Sequence, residues 1–182
     1  MYIFGYGSLM NSASRQLTGQ TGQAIPVIVS GLVRHWGKID DSYVMSPLVV
    51  QPGESEVNGV LLEVSNDQLP EFDLRERGYQ RMRIPTTAIR SQHPFDKQQD
   101  VWVYVTCTHQ PPCTKSPIVQ SYVDTVLAGC LEVSEEFARH FVAHTKGWHH
   151  PQEKDRHAPI YPRMAGIKAE QLPLIDALLS EL

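Results

Sequence analysis

Gly59-Val60-Leu61-Leu62-Glu63-Val64 is the plainest alternating run in the chain. Val60, Leu62 and Val64 fall on one side and Gly59, Leu61 and Glu63 on the other, the period of two that a β-strand imposes. Working outward, segments 2–6, 26–36, 43–51, 79–89 and 101–106 also read as strands, punctuated by turn-rich pieces such as Gln51-Pro52-Gly53 and Gln92-His93-Pro94. About six strands joined by short connections predict a largely antiparallel sheet or small barrel, not a doubly wound parallel one.

The second half changes period. A helix is predicted with Ser116 as its cap and Pro117 in its first position, continuing through Ile118, Val119, Tyr122, Val123 and Val126 to Gly129. A second follows Ser134, buries Phe137 and Phe141 and ends at Gly147. A third starts at Lys168 and carries Leu172, Ile175, Leu178 and Leu179. Residues 148–162 read as a long irregular loop, a candidate lid or rim. The expected class is therefore α+β: a small, mixed, largely antiparallel β-barrel with surrounding helices, in one domain over residues 1–182.

At 182 residues the chain is long enough for its own core, and 41% hydrophobic with 20% charged residues excludes a disordered class. The formal net charge of −4 supplies no positive surplus, so neither nucleic acid nor an anionic membrane is the expected partner. A small molecule is. Gly5, Gly7 and Ser8 interrupt the apolar start at once, and no apolar run reaches membrane length, which predicts a cytoplasmic protein. Cys107, Cys113 and Cys130 are spaced for neither disulfides nor zinc. Nothing in the sequence sets the oligomeric state.

Two local patterns carry chemistry. Phe4-Gly5-Tyr6-Gly7-Ser8-Leu9 runs a strand into a two-glycine turn that lacks the third glycine of a dinucleotide fingerprint and the Gly-Lys-Ser/Thr of a Walker loop, so no cofactor is implied. Its N–H groups at Gly7, Ser8 and Leu9 can converge on a carboxylate or phosphate; the plain alternative is a tight bend. The second pattern, Gln68 to Tyr79, reads as a short helix with Asp67 as cap, Pro70 in its first turn and Gly78 at its end. Leu69, Phe72 and Glu76 share a face, so the Glu76 carboxyl points where the apolar side chains point. Burial and the negative helix end favour its neutral form, while Arg75 and Arg77 oppose this. Glu76 is then either a proton-shuttling acid or the salt-bridge partner of Arg81 or Arg83.

Eight histidines, among them His144, His149, His150 and His157, show no pair four apart with a glutamate between, so no metal site is expected and a solvated basic loop is. No base is proposed for a thiol nucleophile at Cys107 or Cys130. Tyr122 sits on the apolar side of the first long helix, either as plain core or with its hydroxyl at a cavity.

Taken together, Phe4 to Leu9, Gly31-Leu32-Val33-Arg34-His35-Trp36, Asn58 to Val64, Phe72-Asp73-Leu74-Arg75-Glu76-Arg77-Gly78-Tyr79-Gln80-Arg81 and Pro117 to Tyr122 resemble the gamma-glutamylcyclotransferase superfamily of AIG2-like and ChaC-like proteins. The resemblance spans about the first 130 residues. It implies a small mixed barrel, a cavity shared by the first loop and the acidic helix, and a gamma-glutamyl substrate. It places Tyr6, Gly7, Ser8, Leu9 and Tyr122 at the substrate and Glu76 as general acid/base. The implied reaction is attack of the substrate's α-amine on its own γ-carbonyl, giving 5-oxoproline and a released amine or amino acid. A non-catalytic module binding such a metabolite is the alternative. The glutathione-specific ChaC branch carries a tryptophan after its loop and an Arg-Gly-Thr segment; here those regions read Met10-Asn11 and Tyr43-Val44-Met45-Ser46-Pro47-Leu48, so glutathione is not the implied substrate.

Overall fold

Alternation along the first strand, β1 (Tyr2–Gly5), separates two cores: Tyr2 and Phe4 point into the barrel with Val27, Val29, Val57 and Leu61, while Ile3 points out to meet Phe72, Val64 and Tyr104. The computed structural model describes residues 1–19 and 22–182, and every side chain among them except that of Arg75. The expected opposition of Arg75 to ionisation at Glu76 therefore lies outside the described residues.

Beyond β1 come α1 (Ser12–Gln16), β2 (Ala24–Trp36), β3 (Leu48–Glu63), α2 (Leu69–Arg75), β4 (Gln80–Ile84), β5 (Ile89–Arg90) and β6 (Val101–Val105). The second half holds β7 (Ile118–Val119), α3 (Gln120–Val133), α4 (Glu135–Ala143), β8 (Thr145–Lys146), β9 (Gln152–Glu153) and α5 (Gln171–Leu179). The main sheet runs β4-β6-β1-β3-β2-β5, with β8 added to β2; β1–β6 and β2–β8 are parallel and the other pairs antiparallel. β4 and β5 lie at opposite ends of this order although only residues 85–88 separate them. Five inter-strand spacings would set the ends of a flat sheet about 24 Å apart. The connection reaches about 17 Å at most. The sheet therefore curls into a half-barrel, as expected for the α+β class, with α3, α4 and α5 packed on the face that presents Val60 and Leu62. No described helix is long and apolar enough to cross a membrane.

Several boundaries differ from expectation. Gln51-Pro52-Gly53 is not a turn: β3 runs through it, with Pro52 opposite Leu32, and a register shift between Ser30 and Leu32 absorbs the irregularity. Segment 79–89 is two strands, β4 and β5, which join opposite ends of the sheet order. Asp67 does not cap α2; Gln68 stands at that position and its Oε1 accepts from the Ser65 N–H at 2.9 Å.

Helix α3 begins at Gln120, not after Ser116, because Ile118 and Val119 pair with Gln152 and Glu153. Asp155 takes the capping role: its carboxylate accepts from the Ser121 N–H at 2.7 Å and the Ser121 hydroxyl at 2.5 Å. The helix also runs through Gly129, where a Cβ would stand 2.4 Å from the Asn11 nitrogen. Gly129 is a crossing point for the chain after the glycine turn, not a stop signal. Ser134 does cap α4, accepting from the Phe137 N–H at 3.0 Å. That helix ends at Ala143, since Thr145 and Lys146 are claimed by β2.

Candidate active site

The end of α2 is fixed by a hydrophobic nail. Phe72 is 1% exposed among Ile3, Val64 and Tyr104, and the Glu76 N–H closes the last turn on the Phe72 carbonyl at 2.9 Å. Gly78, at φ +95°, then turns the chain into β4. The half-buried Glu76 thereby lines a pocket of about 310 Å³ together with Tyr6, Gly7, Ser8 and Leu9 of the glycine turn and with Tyr122 of α3. That volume suits a small metabolite. The arginines expected as alternative partners of Glu76 pair elsewhere: Arg81 with Asp73 at 2.9 Å and Arg83 with Asp100 at 2.5 Å.

The turn is built around Tyr122. A Cβ at Gly7 would lie 2.8 Å from the Tyr122 hydroxyl, so glycine is what lets the helix reach the turn. Burial pushes the Tyr122 phenol up and the neighbouring Tyr161 adds to this, while the backbone amides of Leu48 and Ser8, facing its oxygen, pull the other way. Ser8, expected to face a ligand, lines the pocket beside Tyr122. The Tyr6 hydroxyl donates to the Tyr104 carbonyl at 2.9 Å, leaving the Tyr6 ring and backbone to the pocket.

The fold adds residues that the sequence did not mark: Tyr43, Tyr79, Tyr104 and Arg163. Burial raises the phenols of Tyr6, Tyr79 and Tyr43, and the charge of Glu76 raises all three further. Burial disfavours the Arg163 cation, but the hydrogen bond from its Nε to the Tyr161 hydroxyl at 3.3 Å and the charges of Tyr161, Tyr122 and Glu76 outweigh that and raise its pKa. Among the described lining residues, Glu76 is the acid and Arg163 the cation.

Behind the turn lies Arg34, fully buried and pushed down to about 9 by desolvation. It donates to the carbonyls of Tyr6 at 3.3 Å, Asn58 at 2.8 Å and Phe141 at 3.2 Å, and to Thr145 Oγ1 at 2.8 Å. This one side chain ties the turn to β3 and α4. Sequence alternation marked it only as a strand residue.

The segment expected as a lid or rim is tied down along its length. Trp148 Nε1 donates to the Val142 carbonyl at 3.1 Å, β9 pairs with β7, and Arg156 bridges Asp124 and Asp176 at 2.7 and 2.6 Å. None of its described residues lines the pocket; Arg163, directly after it, does. His149 and His157 are exposed as expected, whereas His144 lies beside His140. The three cysteines are free thiols, and none lines the pocket.

A curled mixed sheet whose first turn and acidic helix end share one small polar pocket defines an α+β protein. The chain belongs to the gamma-glutamyl cyclotransferase, AIG2-like family, whose model matches residues 3–122. Among solved structures it is similar to a gamma-glutamyl cyclotransferase at 13% identity and TM-score 0.61, over 100% of this chain and 98% of that one. It is likewise similar to the uncharacterized protein loc79017 from Homo sapiens at 14% identity and TM-score 0.63, over 98% and 97% of the two chains. YkqA from Bacillus subtilis shares the fold at 18% identity and TM-score 0.58, over 81% of this chain and 56% of that one. These likenesses are of fold. A search among curated proteins finds no match.

Proposed function

We propose that this protein cyclises a gamma-glutamyl group to 5-oxoproline and releases the amine or amino acid that the group had acylated. The observation that carries the reading is the placement of the Glu76 carboxyl and the Tyr6 to Leu9 turn in one pocket, within a chain of this family. The substrate's α-nitrogen forms a bond to its own γ-carbonyl carbon, and the amide C–N bond then breaks. Attack within one molecule reaches effective molarities of about 10⁵–10⁸ M when the reactive shape is held, so no enzyme nucleophile is needed. Proton traffic remains. Glu76 takes a proton from the attacking nitrogen and returns one to the leaving nitrogen.

The turn holds the glutamyl head. Tyr122 lines the pocket, and we assign its hydroxyl to donate to the substrate's oxygen. With the turn on the glutamyl head, we assign Arg163 to the carboxylate of the departing amino acid, which favours a gamma-glutamyl amino acid or peptide over a gamma-glutamyl amine. The test is 5-oxoproline release from a panel of gamma-glutamyl compounds by the wild type and by Glu76→Gln, which keeps shape but cannot shuttle protons. The reading predicts turnover by the first and at least a hundredfold loss in the second, about the worth of general acid–base catalysis. Binding of the same compounds without product, unchanged in Glu76→Gln, would instead make the pocket a metabolite-binding module.

A further inference from the structure

Outside the lining of the Glu76 pocket, three ligating groups from two distant parts of the chain converge. Glu56 lies on β3, His140 in the last turn of α4 and His144 directly after that helix. His140 Nε2 stands 2.8 Å from Glu56 Oε1 and His144 Nε2 stands 4.0 Å from the same oxygen. All three ligating atoms lie within 4.8 Å of one another. The imidazoles are four residues apart and stacked, with ring centroids 3.9 Å apart and planes 9° from parallel.

The hydrogen bonds around the cluster aim it inward. His144 Nδ1 sits 3.0 Å from the His140 carbonyl, which can only accept, so Nδ1 carries the hydrogen and the Nε2 lone pair is left facing the carboxylate. Two electron-rich atoms 4.0 Å apart and facing each other are what a cation between them would relieve. Bonds of about 2.1 Å at a tetrahedral centre place neighbouring ligand atoms about 3.4 Å apart, between the two separations found here. Arg90 Nη2 holds the other carboxylate oxygen, Oε2, at 2.7 Å and so fixes Oε1 towards the histidines. His140 and Arg90 also line a surface cavity of about 370 Å³ with His93, which gives solvent a way to the remaining coordination positions.

We propose that Glu56, His140 and His144 form a binding site for a divalent transition-metal ion of the zinc class, separate from the Glu76 pocket. Two imidazoles and one carboxylate match zinc, cobalt or nickel; calcium and magnesium call for oxygen donors. Binding replaces the Nε2 hydrogen that His140 gives to Glu56 and requires the stacked rings to turn so that both lone pairs meet at one point. The displaced hydrogen moves to His140 Nδ1, which is buried without a partner. That cost sets the expected affinity in the micromolar range rather than that of a structural zinc site. The bound ion would clamp β3 to the end of α4, next to the Phe141 carbonyl that Arg34 holds.

The experiment is calorimetric titration of the full chain, free of any affinity tag, with Zn²⁺, alongside Co²⁺ absorption spectra; neither readout depends on turnover. One equivalent per chain is expected, with ligand-field bands of a tetrahedral or five-coordinate cobalt centre. Affinity should fall about tenfold or more in His144→Ala and in Glu56→Gln, and stay unchanged when the exposed His149 and the half-buried His150 are both replaced by alanine. His144 is partly exposed, so its loss leaves the fold in place. The proposal is overturned if the wild type takes up no metal saturably. It is equally overturned if the His149/His150 double variant loses binding while His144→Ala retains it.

Discussion

At the level of single residues, Tyr122 fixes more of the pocket's polar geometry than its place on an apolar helix face suggests. Its hydroxyl lies at the glycine turn, where a Cβ at Gly7 would come within 2.8 Å of it, and the residue lines the pocket. Tyr122→Phe should keep the fold and reduce kcat/KM for a gamma-glutamyl substrate by about 10- to 100-fold, the worth of one hydrogen bond to a charged or developing-charge oxygen. A change under twofold in steady-state assays would remove Tyr122 from the reaction. Arg163 makes a different prediction. Arg163→Gln should reduce kcat/KM about tenfold or more for a gamma-glutamyl amino acid and leave a gamma-glutamyl alkylamide little changed; equal losses would place the cation on the glutamyl head instead. Glu76 and the turn were legible because each belongs to a local pattern, a helical face and a glycine pair. Tyr43, Tyr79 and Arg163 were not, since they reach the pocket from separate segments and no periodicity links them.

At the level of elements, the same contrast between local and distant signals explains α3. Ser116-Pro117 has the local form of a helix start, but Asp155, 34 residues beyond Ser121, supplies the actual cap and also accepts from the Ile160 N–H at 2.7 Å. No windowed reading can see such a partner. Burial disfavours the Asp155 carboxylate, but the Ser121 hydroxyl and the Ile160 and Ser121 amides outweigh it and hold the pKa below the ordinary 3.8. Its folded value being the lower, the stability it adds is present above about pH 4 and lost as pH falls through the folded value. Asp155→Asn should therefore cost about 1–3 kcal/mol at neutral pH and show a shallower further loss below pH 4 than the wild type. Denaturant melts across that range test this. Identical acid dependence in the two proteins would show that another carboxylate governs it. The strands were easier. Alternation located β1, β2 and β6 to within two residues, while Gln51-Pro52-Gly53 misled because β3 absorbs the irregularity as extra residues between Pro52 and Glu56, opposite Gly31 of β2.

At the level of the whole molecule, the curl forced by the short β4–β5 connection brings the barrel mouth, α2 and α3 around one pocket, and Arg34 ties the glycine turn to the sheet and α4 from behind. The α+β class followed from strand count and the change of period. The depth of the pocket did not, since it depends on tyrosines supplied by five separate segments. The proposed function rests on one carboxyl group within that frame, and the assay that bears on it most directly measures 5-oxoproline from gamma-glutamyl amino acids. The wild type should release it stoichiometrically with the free amino acid while Glu76→Gln, folded to the same melting profile, falls at least a hundredfold. Equal release by both proteins would contradict the proton-shuttle role of Glu76 and with it the cyclisation mechanism.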